Sequence, residues 1–307
     1  MGALISKQIQ RYKDVKMEKK ALADLKQSCG CDFPGCDYRP PDRKNWMSTL
    51  NPHKLRINLI VWPGTHDSAT NKIGIPLITR PFAQCQTLSI YEQLSAGARA
   101  LDVRVQEDGR ICHGILLTYS VDVVITDVRK FLDETQSEIL ILEIRTEFGH
   151  TDPPNFDQYL RDQLGDYLIH HDDRVFKRTI ADLLPRRVIC VWNPREAAAP
   201  AAGDSLWSGG YLKDNWINTD KPWTKFESNL KRLGEQPPAA GRRYFYRVEN
   251  TVTPQADNPI VWVRVVTSRI RPYARTFMAQ CFARGILDRL HFPRILLIGI
   301  LWMHVLV

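Results

Sequence analysis

Residues Ile57 to Ala69 read INLIVWPGTHDSA, and this stretch decides the fold. Its apolar run, Ile57 to Trp62, predicts a buried strand, which the Pro-Gly pair after it is expected to end. The following turn presents His66 and Asp67 at the strand end, where α/β barrels carry their reactive side chains. His66 is therefore a candidate general base, although a turn histidine that only hydrogen-bonds locally would fit the same pattern.

A second predicted strand, Arg99 to Val105 (RALDVRV), carries two more charged candidates. Strand side chains alternate between faces, so Asp102 and Arg104 share one face and the apolar residues take the other. After an Asp-Gly turn, the sequence ICHG delivers His113. Two histidines can serve as base and acid while Arg104 neutralises phosphate charge, which points to phosphoryl-transfer chemistry.

The rest of the chain alternates between predicted strands and helices. Strand-like runs occupy 139–144, 187–192, 211–216 and 244–250, and helical spacing occupies 121–134, 155–164 and 273–287. A short helix capped by Ser89, with Glu92 at the capping-box spacing, precedes the second strand. This order indicates parallel βαβ units and predicts an irregular TIM-type α/β barrel, with active-site residues at the carboxyl ends of its strands.

Composition limits the class of protein. The 307 residues are 44% hydrophobic and 25% charged, enough for one large globular domain or two smaller ones. The net charge of +8 suggests an anionic partner. Basic runs interleaved with aromatic residues are absent from the sequence, so no nucleic-acid partner is predicted. Seven cysteines, an odd number, and the lack of a secretory hydrophobic region predict a reducing compartment.

The N-terminus carries a possible lipidation signal. MGALIS fits the acceptor pattern for N-myristoylation of Gly2. Residues Lys7 to Lys26 then hold seven basic and three acidic residues, a net charge of 7 − 3 = +4. One acyl chain binds membranes marginally and a basic patch supplies a second signal, so residues 1–40 are predicted to attach the protein to the cytosolic face of an anionic membrane. A solvated helix with i,i+4 ion pairs is the alternative.

The motifs GTHDSA, LDVRV and CHG, in that order, resemble the X region of bacterial-type phosphatidylinositol-specific phospholipase C, most closely the plant branch of phospholipase C-like phosphodiesterases. The similarity covers about Pro40 to Leu290, which predicts a phosphodiesterase barrel at 41–291. The resemblance implies that His66 is the base and His113 the acid in cleavage of a phosphoinositide. It also implies that Asp67 orients His113.

The resemblance bears on metal and cofactor dependence as well. Calcium-dependent relatives carry an Asn after the first histidine and an extra carboxylate in the second motif, whereas this chain has Asp67 and Arg104 there. Arg104, braced by Asp102, would supply the positive charge itself, so metal-independent catalysis is expected, with no cofactor and a monomeric protein.

Four further residues are assigned to substrate binding by resemblance alone. Arg145 stands where relatives place a basic residue near the inositol, and Asp214 and Trp216 match a D-x-Y pair that contacts the sugar. Trp216 replaces the Tyr and loses its hydroxyl, and Asn193 stands where bacterial enzymes have Arg. Ordinary barrel packing is the alternative for all four.

From Phe292 onward the chain departs from the family. Relatives end near Ser-Thr-Asp-Phe-Ile-Asp, whose first Asp holds the base histidine, whereas residues 292–307 read FPRILLIGILWMHVLV. A back-translation of this tail, read two bases out of frame, encodes STDFIDWDFVDACVG, so we hypothesise a frameshift or an altered splice junction. The last strand is then altered or missing, the hydrophobic tail is either a substitute strand or an aggregation hazard, and His66 is expected to lack its carboxylate.

Two functions follow from these observations. The first is a membrane-attached, phospholipase C-type phosphoric diester hydrolase that acts on a phosphatidylinositol-type lipid. The alternative is a non-catalytic lipid-binding or signalling protein on the same barrel, which the altered tail would favour.

Overall fold

The computed structural model describes residues 2–29, 33, 36, 40–255, 262–287 and 303–306. The strands form one sheet that curves into an irregular α/β barrel. Their bounds are β1 Trp62–Thr65, β2 Ala100–Val105, β3 Arg110–His113, β4 Leu116–Ser120, β5 Leu140–Thr146, β6 Val188–Asn193, β7 Trp207–Ser208, β8 Leu212–Asp214, β9 Phe245–Glu249 and β10 Met303–Leu306.

The sheet order around the barrel is β7-β6-β5-β2-β1-β10-β9-β8, with β3 and β4 as a hairpin beside β2. Strands β1, β2, β5, β6 and β7 run parallel, as do β8 and β9. Among the described residues β7 and β8 do not pair, so the sheet stays open there. The predicted irregular barrel is confirmed, and its parallel strands bring their carboxyl ends to one face, called here the mouth.

The helices fill the connections. They are α1 Gly2–Cys29, α2 Arg80–Ala83, α3 Ile90–Ser95, α4 Val121–Asp133, α5 Phe156–Leu164, α6 Ile180–Leu183, α7 Pro222–Gly234, α8 Val263–Thr267 and α9 Ala274–Ala283. The predicted capping box is present, since the Ser89 side chain accepts from the Glu92 N–H and the Glu92 side chain accepts from the Ser89 N–H. Within the described part of the chain, every helix is too short or too polar to cross a bilayer.

The first strand begins later than the apolar run predicts. Residues Ile57–Leu59 form a 3-10 turn, closed by a hydrogen bond from Trp62 Nε1 to the Ile57 carbonyl. Pro63 does not end the strand but lies within it. The Pro63 carbonyl accepts a hydrogen bond from Arg99 N at 2.7 Å. The proline has no backbone N–H to donate, but its carbonyl still takes part in the pairing of the strands.

Apolar side chains fill both sides of the sheet. Leu101, Val103 and Val105 of β2 pack with α4 in one cluster, as the alternation in the sequence predicts. A second cluster lies under α7 and α9 and includes Leu22 of α1. The N-terminal helix is therefore packed on the barrel through part of its length.

The tail supplies a strand. Strand β10 lies antiparallel to both β1 and β9, with Gly64 opposite His304 and Glu249 opposite the same residue on the other side. The substitute-strand interpretation is thus confirmed for residues 303–306. The other residues of the predicted tail, 292–302 and 307, lie outside the described part of the chain.

A buried ion pair fixes the start of β2. Arg99, fully buried, donates from Nε to Glu138 Oε2 at 2.8 Å, and Glu138 also accepts from the Met47 N–H at 3.0 Å. The Arg99 guanidinium lies 5.3 Å and 4.8 Å from the ring centres of Trp46 and Phe131. The residue before β2, the strand that carries Asp102 and Arg104, is therefore held in place by a buried ion pair and by two aromatic rings.

Replacing Glu138→Gln is expected to lower the free energy of unfolding by about 3–5 kcal/mol, because Arg99 would stay buried without its counter-charge. Urea unfolding followed by circular dichroism measures this loss. The matched control is Glu235→Gln, in the exposed pair with Arg232, where the change should be below about 0.5 kcal/mol. Equal changes in the two variants would contradict the role of the buried pair.

Candidate active site

The turn after β1 is locked to β2 by reciprocal hydrogen bonds. Ser68 N donates to the Asp102 carbonyl at 2.7 Å, and Asp102 N donates to Ser68 Oγ at 2.9 Å. Asp67 takes a left-handed backbone conformation with φ of 45°, which Asp tolerates better than most residues. This turn aims the His66 and Asp67 side chains at the barrel interior beside Asp102.

His66 lies between two carboxylates. Its Nδ1 is 3.0 Å from Asp102 Oδ2, and its Nε2 is 3.1 Å from Asp67 Oδ2. The expectation that His66 lacks a carboxylate partner because the tail has changed is therefore wrong. Asp102, on the neighbouring parallel strand, is close enough to hydrogen-bond the ring nitrogen.

Arg104 is the cation at the centre of the site. Its Nε lies 2.6 Å from Asp67 Oδ1, its Nη2 lies 3.4 Å from Asp102 Oδ2, and its Nη1 lies 3.1 Å from Glu147 Oε2. The predicted contact between Asp102 and Arg104 is present. It is the longest of the three, so Asp67 and Glu147 hold the guanidinium more closely.

These contacts shift the pKa values in opposite directions. Burial opposes ionisation of Asp102, but the charge of Arg104 and the His66 hydrogen bond outweigh it and hold the Asp102 pKa well below its usual range. Burial would lower the pKa of His66, yet the charges of Asp67 and Asp102 raise it above the ordinary histidine value. Compared with water, the environment thus favours the ionised form of Asp102 and the protonated form of His66.

His113 approaches the same carboxylate from the β3–β4 hairpin. Its Nδ1 is 2.8 Å from the Ala83 carbonyl and its Nε2 is 3.6 Å from Asp67 Oδ2. Asp67 therefore lies between both histidines and is nearer to His66 than to His113, the residue that it was expected to orient. Both histidine rings line one cavity of about 400 Å³ at the mouth of the barrel.

The cavity also brings together three of the four predicted substrate-binding residues, Arg145, Asp214 and Trp216. The Trp216 ring stacks at 6.3 Å from the His66 ring. Asn193, at the end of β6, does not line the cavity and packs against the backbone of Gly209 instead. The prediction that Asn193 contacts substrate is not supported, because its side chain fills the space left by that glycine.

Arg145 differs from the other two cavity arginines. Arg104 and Arg247 are each surrounded by carboxylates. Among the residues that the structure describes, no carboxylate forms an ion pair with Arg145, which lines the cavity on β5. Its guanidinium is thus available to an anion that enters from solvent.

Sequence reasoning missed a second charged group in the barrel. Arg247 on β9 forms ion pairs with Glu143 on β5, Asp214 on β8 and, at 3.1 Å, Glu249. Burial raises the pKa of Glu249, which lines the cavity. The alternating run FYRVE of β9 was the available signal, since it places Arg247 and Glu249 on one face.

Lys225 of α7 supports the cavity wall from behind. Its buried Nζ lies 3.7 Å from the centre of the Trp216 ring. Burial lowers the pKa of Lys225 to about 8, although the charges of Glu249 and Asp214 act in the opposite direction. The Trp216 ring is thus held between an ammonium group and the His66 ring.

One group of described residues could hold a metal ion. The ligand atoms of His66, Asp67 and Cys85 lie within 4.8 Å of one another. The same Asp67 carboxylate contacts the Arg104 guanidinium. A cation at this point would therefore compete with a charge that the protein already supplies.

Comparison with known proteins agrees with this geometry. Residues 61–185 match the family model described as phosphatidylinositol-specific phospholipase C, X domain. A 1-phosphatidylinositol phosphodiesterase of Listeria monocytogenes is 36% identical over 111 residues, which cover 36% of this chain and 35% of that protein. The human PI-PLC X domain-containing protein 1 is 28% identical over 139 residues, covering 34% of this chain and 43% of that protein. The chain thus aligns with less than half the length of these relatives.

The fold is similar to a solved structure over a longer span. The phosphatidylinositol-specific phospholipase C from Listeria monocytogenes superposes with a TM-score of 0.64 and 20% identity, covering 82% of this chain and 92% of that one. At this identity the likeness shows the barrel fold alone. Residues 61–185 are therefore similar in sequence to the X domain of the phosphatidylinositol-specific phospholipase C family, and the chain shares the barrel fold of a solved phospholipase C of that type.

Proposed function

We propose that the protein is a phosphoric diester hydrolase of the phosphatidylinositol-specific phospholipase C type, cleaving a phosphoinositide without a metal ion. The observation that carries the proposal is the approach of His66 and His113 to one carboxylate, at 3.1 Å and 3.6 Å from Asp67 Oδ2, beside the Arg104 guanidinium. An acid, a base and a phosphate-neutralising cation are what cleavage of a phosphodiester requires.

The proposed reaction forms one P–O bond and breaks another. His66 Nε2 takes the proton of the inositol 2-hydroxyl, whose oxygen attacks the phosphorus. The bond from phosphorus to the glycerol oxygen breaks, and His113 gives that oxygen a proton as diacylglycerol leaves. The contact of His66 Nδ1 with Asp102 supports this role, because a proton held on Nδ1 leaves Nε2 of the neutral ring as the acceptor. We propose that the inositol hydroxyl takes the place beside Nε2 where Asp67 Oδ2 now lies, at 3.1 Å.

Charge in the cavity supports a phosphate between two arginines. Arg104 neutralises the buried carboxylates and presents its guanidinium to the cavity, while Arg145 has no carboxylate partner among the described residues. We propose that Arg104 stabilises charge that develops on the phosphoryl oxygens. Arg145, Asp214 and Trp216 would bind the inositol ring, with the Trp face against the sugar.

Exposed apolar residues around the mouth support a lipid substrate. They follow β1, β3 and β5 in the chain or flank α8, and six of them are Leu77, Ile78, Phe82, Ile115, Phe148 and Trp262. Leu77 is 94% exposed and Phe148 is 85% exposed, which is unusual for side chains of this size in water. We propose that this rim contacts the bilayer and that the protein is peripheral on the cytosolic face of a membrane, with Gly2 acylated.

The alternative is a non-catalytic lipid-binding protein on the same barrel. The departure of the tail from the family's end favours it, since the carboxylate that relatives use to hold the base histidine is absent from the sequence after Asp288. The contact between His66 and Asp102 argues for catalysis. Lipid binding without turnover would favour the alternative.

Phosphatidylinositol vesicles incubated with the full chain in the presence of EGTA are expected to release inositol cyclic phosphate, detected by phosphorus NMR. His66→Ala and His113→Ala should each reduce the rate by about 10²- to 10⁴-fold, the range for loss of a general acid or base. Exposed His170 offers the control His170→Ala, which should keep the wild-type rate. Turnover only after calcium addition would contradict metal independence.

The pH profile tests the environment of His66. Its raised pKa predicts that kcat/KM falls on the acid side with an apparent pKa above about 6.5, since the base must be neutral. Asp102→Asn removes a charge and a hydrogen bond that raise this pKa, so the acid limb should move to lower pH while the maximal rate falls. Exposed Asp108→Asn should leave the limb in place, and a limb that Asp102→Asn does not move would contradict the assignment.

Arg104→Lys tests the role of the guanidinium. Lys keeps the charge but cannot contact three carboxylates and a phosphate in fixed directions, so kcat should fall by about 10²- to 10³-fold. A smaller change in KM is expected if the contact strengthens in the transition state. Steady-state kinetics on a water-soluble, short-chain phosphatidylinositol measures both constants, and an unchanged kcat would exclude the proposed role.

A further inference from the structure

The helix α1 is attached to the barrel from Arg11 onward. Successive residues of α1 contact successive residues of the segment 220–230. The two helices α1 and α7 therefore lie side by side and run in the same direction. In sequence these contacts are Arg11 with Asp220 at 2.8 Å, Asp14 with Lys221 at 3.1 Å, Glu18 with the Trp223 and Thr224 N–H groups at 3.1 Å, and buried Leu22 in the cluster that holds Phe226 and Leu230.

Asp220 is the point where this attachment begins. It is almost fully buried and also accepts from Arg269 at 2.8 Å, so two arginines share one carboxylate. Both arginines and burial act on its pKa, and the arginines outweigh burial and lower it. The attachment is therefore a specific, desolvated contact and fixes the direction of α1.

The N-terminal half of α1 extends past the barrel. Residues 5–13 include no buried side chain, and the first buried residue is Val15. At 1.5 Å per residue, residues 2–10 reach about 13 Å beyond Arg11. Among the described side chains, none of residues 5–10 is buried, so this end of the helix is carried by the part from Arg11 onward.

The projecting half lies on the mouth side. Asp220 follows β8, whose last residue, Asp214, lines the cavity, and Thr253 of the cavity wall donates its N–H to the Thr219 carbonyl at 2.8 Å. From there α7 runs back toward the other end of the barrel, as the helix after a barrel strand does. Since α1 is parallel to α7, its N-terminus points outward beyond the mouth.

The composition of this half suits an anionic bilayer. Residues 2–13 contain no acidic residue, and of their three basic residues Lys7 and Lys13 are offered to lipid headgroups, since Arg11 is paired with Asp220. Ile5, Ile9 and Tyr12 are exposed and lie at helical spacing on one face, with Tyr12 71% exposed. An apolar stripe flanked by basic residues is typical of helices that bind the membrane interface.

We propose that the N-terminal half of α1 inserts into an anionic membrane surface and, being fixed to α7, holds the barrel mouth against the same surface. This inference rests on the proposed lipid substrate. The helix then fixes the orientation of the barrel on the membrane and is not a flexible tether. An acyl group on Gly2 would lie at the projecting end of the helix. Lipid headgroups supply the negative charge that the acid-free segment complements.

Flotation of the full chain with vesicles tests the contact. Vesicles of phosphatidylcholine with phosphatidylserine should bind the protein, and phosphatidylcholine alone should bind it weakly. The triple variant Ile5→Ser, Ile9→Ser, Tyr12→Ser should bind anionic vesicles at least about tenfold less, from the apolar area lost. Met17→Ser is the matched control, since Met17 is 61% exposed in the attached half of the same helix.

Two substrates separate this inference from the proposed function. The triple variant should hydrolyse vesicle phosphatidylinositol several-fold more slowly and a water-soluble, short-chain phosphatidylinositol at the wild-type rate. Wild-type protein that hydrolyses neither substrate would refute the proposed function, while the flotation result would still decide the contact. Wild-type vesicle binding by the triple variant, or loss only of self-association or of capture of another protein, would overturn the inference.

Asp220→Asn tests the rigid attachment. Loss of the carboxylate charge should loosen α1, so that vesicle binding is kept, hydrolysis of vesicle substrate falls several-fold, and the soluble substrate is cleaved at the wild-type rate. The soluble-substrate rate also reports that the barrel is folded. Unchanged hydrolysis on vesicles would show that the helix acts only as a tether and would refute its orienting role.

Discussion

The structure depends on one desolvated guanidinium. Arg104 is surrounded by Asp67, Asp102 and Glu147, which come from three different segments of the chain. Each carboxylate would be costly to bury alone, and together they would repel one another. Arg104 makes their burial possible, and the excess negative charge then polarises His66. The candidate active site and the packing of the strand ends therefore share the same contacts.

A second guanidinium plays a corresponding part across the barrel. Arg247 on β9 reaches Glu143 on β5, although β2, β1 and β10 separate these strands in the sheet. Backbone hydrogen bonds do not close this sheet between β7 and β8 within the described residues. The ion pair through the barrel interior thus links β5 and β9 directly, whereas backbone hydrogen bonds connect them only through the three strands between them. The same guanidinium also pairs with Asp214, so a residue that lines the cavity takes part in the contacts that hold the barrel together.

The altered tail affects two features of the barrel, the pairing of its last strand and the carboxylate beside His66. In place of the family's end, residues 303–306 pair with β1 and β9 through backbone groups, which any sequence can supply. A carboxylate for His66 cannot be supplied by backbone, and here Asp102 approaches the ring instead. Loss of one residue from a sequence motif is therefore a weak guide to loss of its interaction.

Much of the site could be predicted from local patterns. Alternation in β2 correctly placed Asp102 and Arg104 on one face, and strand ends correctly placed His66, His113, Arg145 and Asp214 at the mouth. The prediction failed where partners come from distant segments. Glu147 sits in a loop with no local pattern that marks its role. The alternation in β9 places Arg247 and Glu249 on one face but does not reveal that Arg247 reaches Glu143 on β5. Both predicted ends of β1 were also wrong: residues Ile57–Leu59 form a 3-10 turn, and pairing with β2 and β10 continues the strand through Pro63.

The sequence by itself determined the α/β class, the alternation of strands and helices along the chain and the identity of the candidate site residues, because periodicity and short motifs are local properties. Tertiary structure alone decided which carboxylate faces each nitrogen of His66, which arginine is left without a carboxylate partner among the described residues, and in which direction α1 projects. These are set by strand register and by desolvated ion pairs between remote segments, and neither can be read from the residues on one stretch of chain.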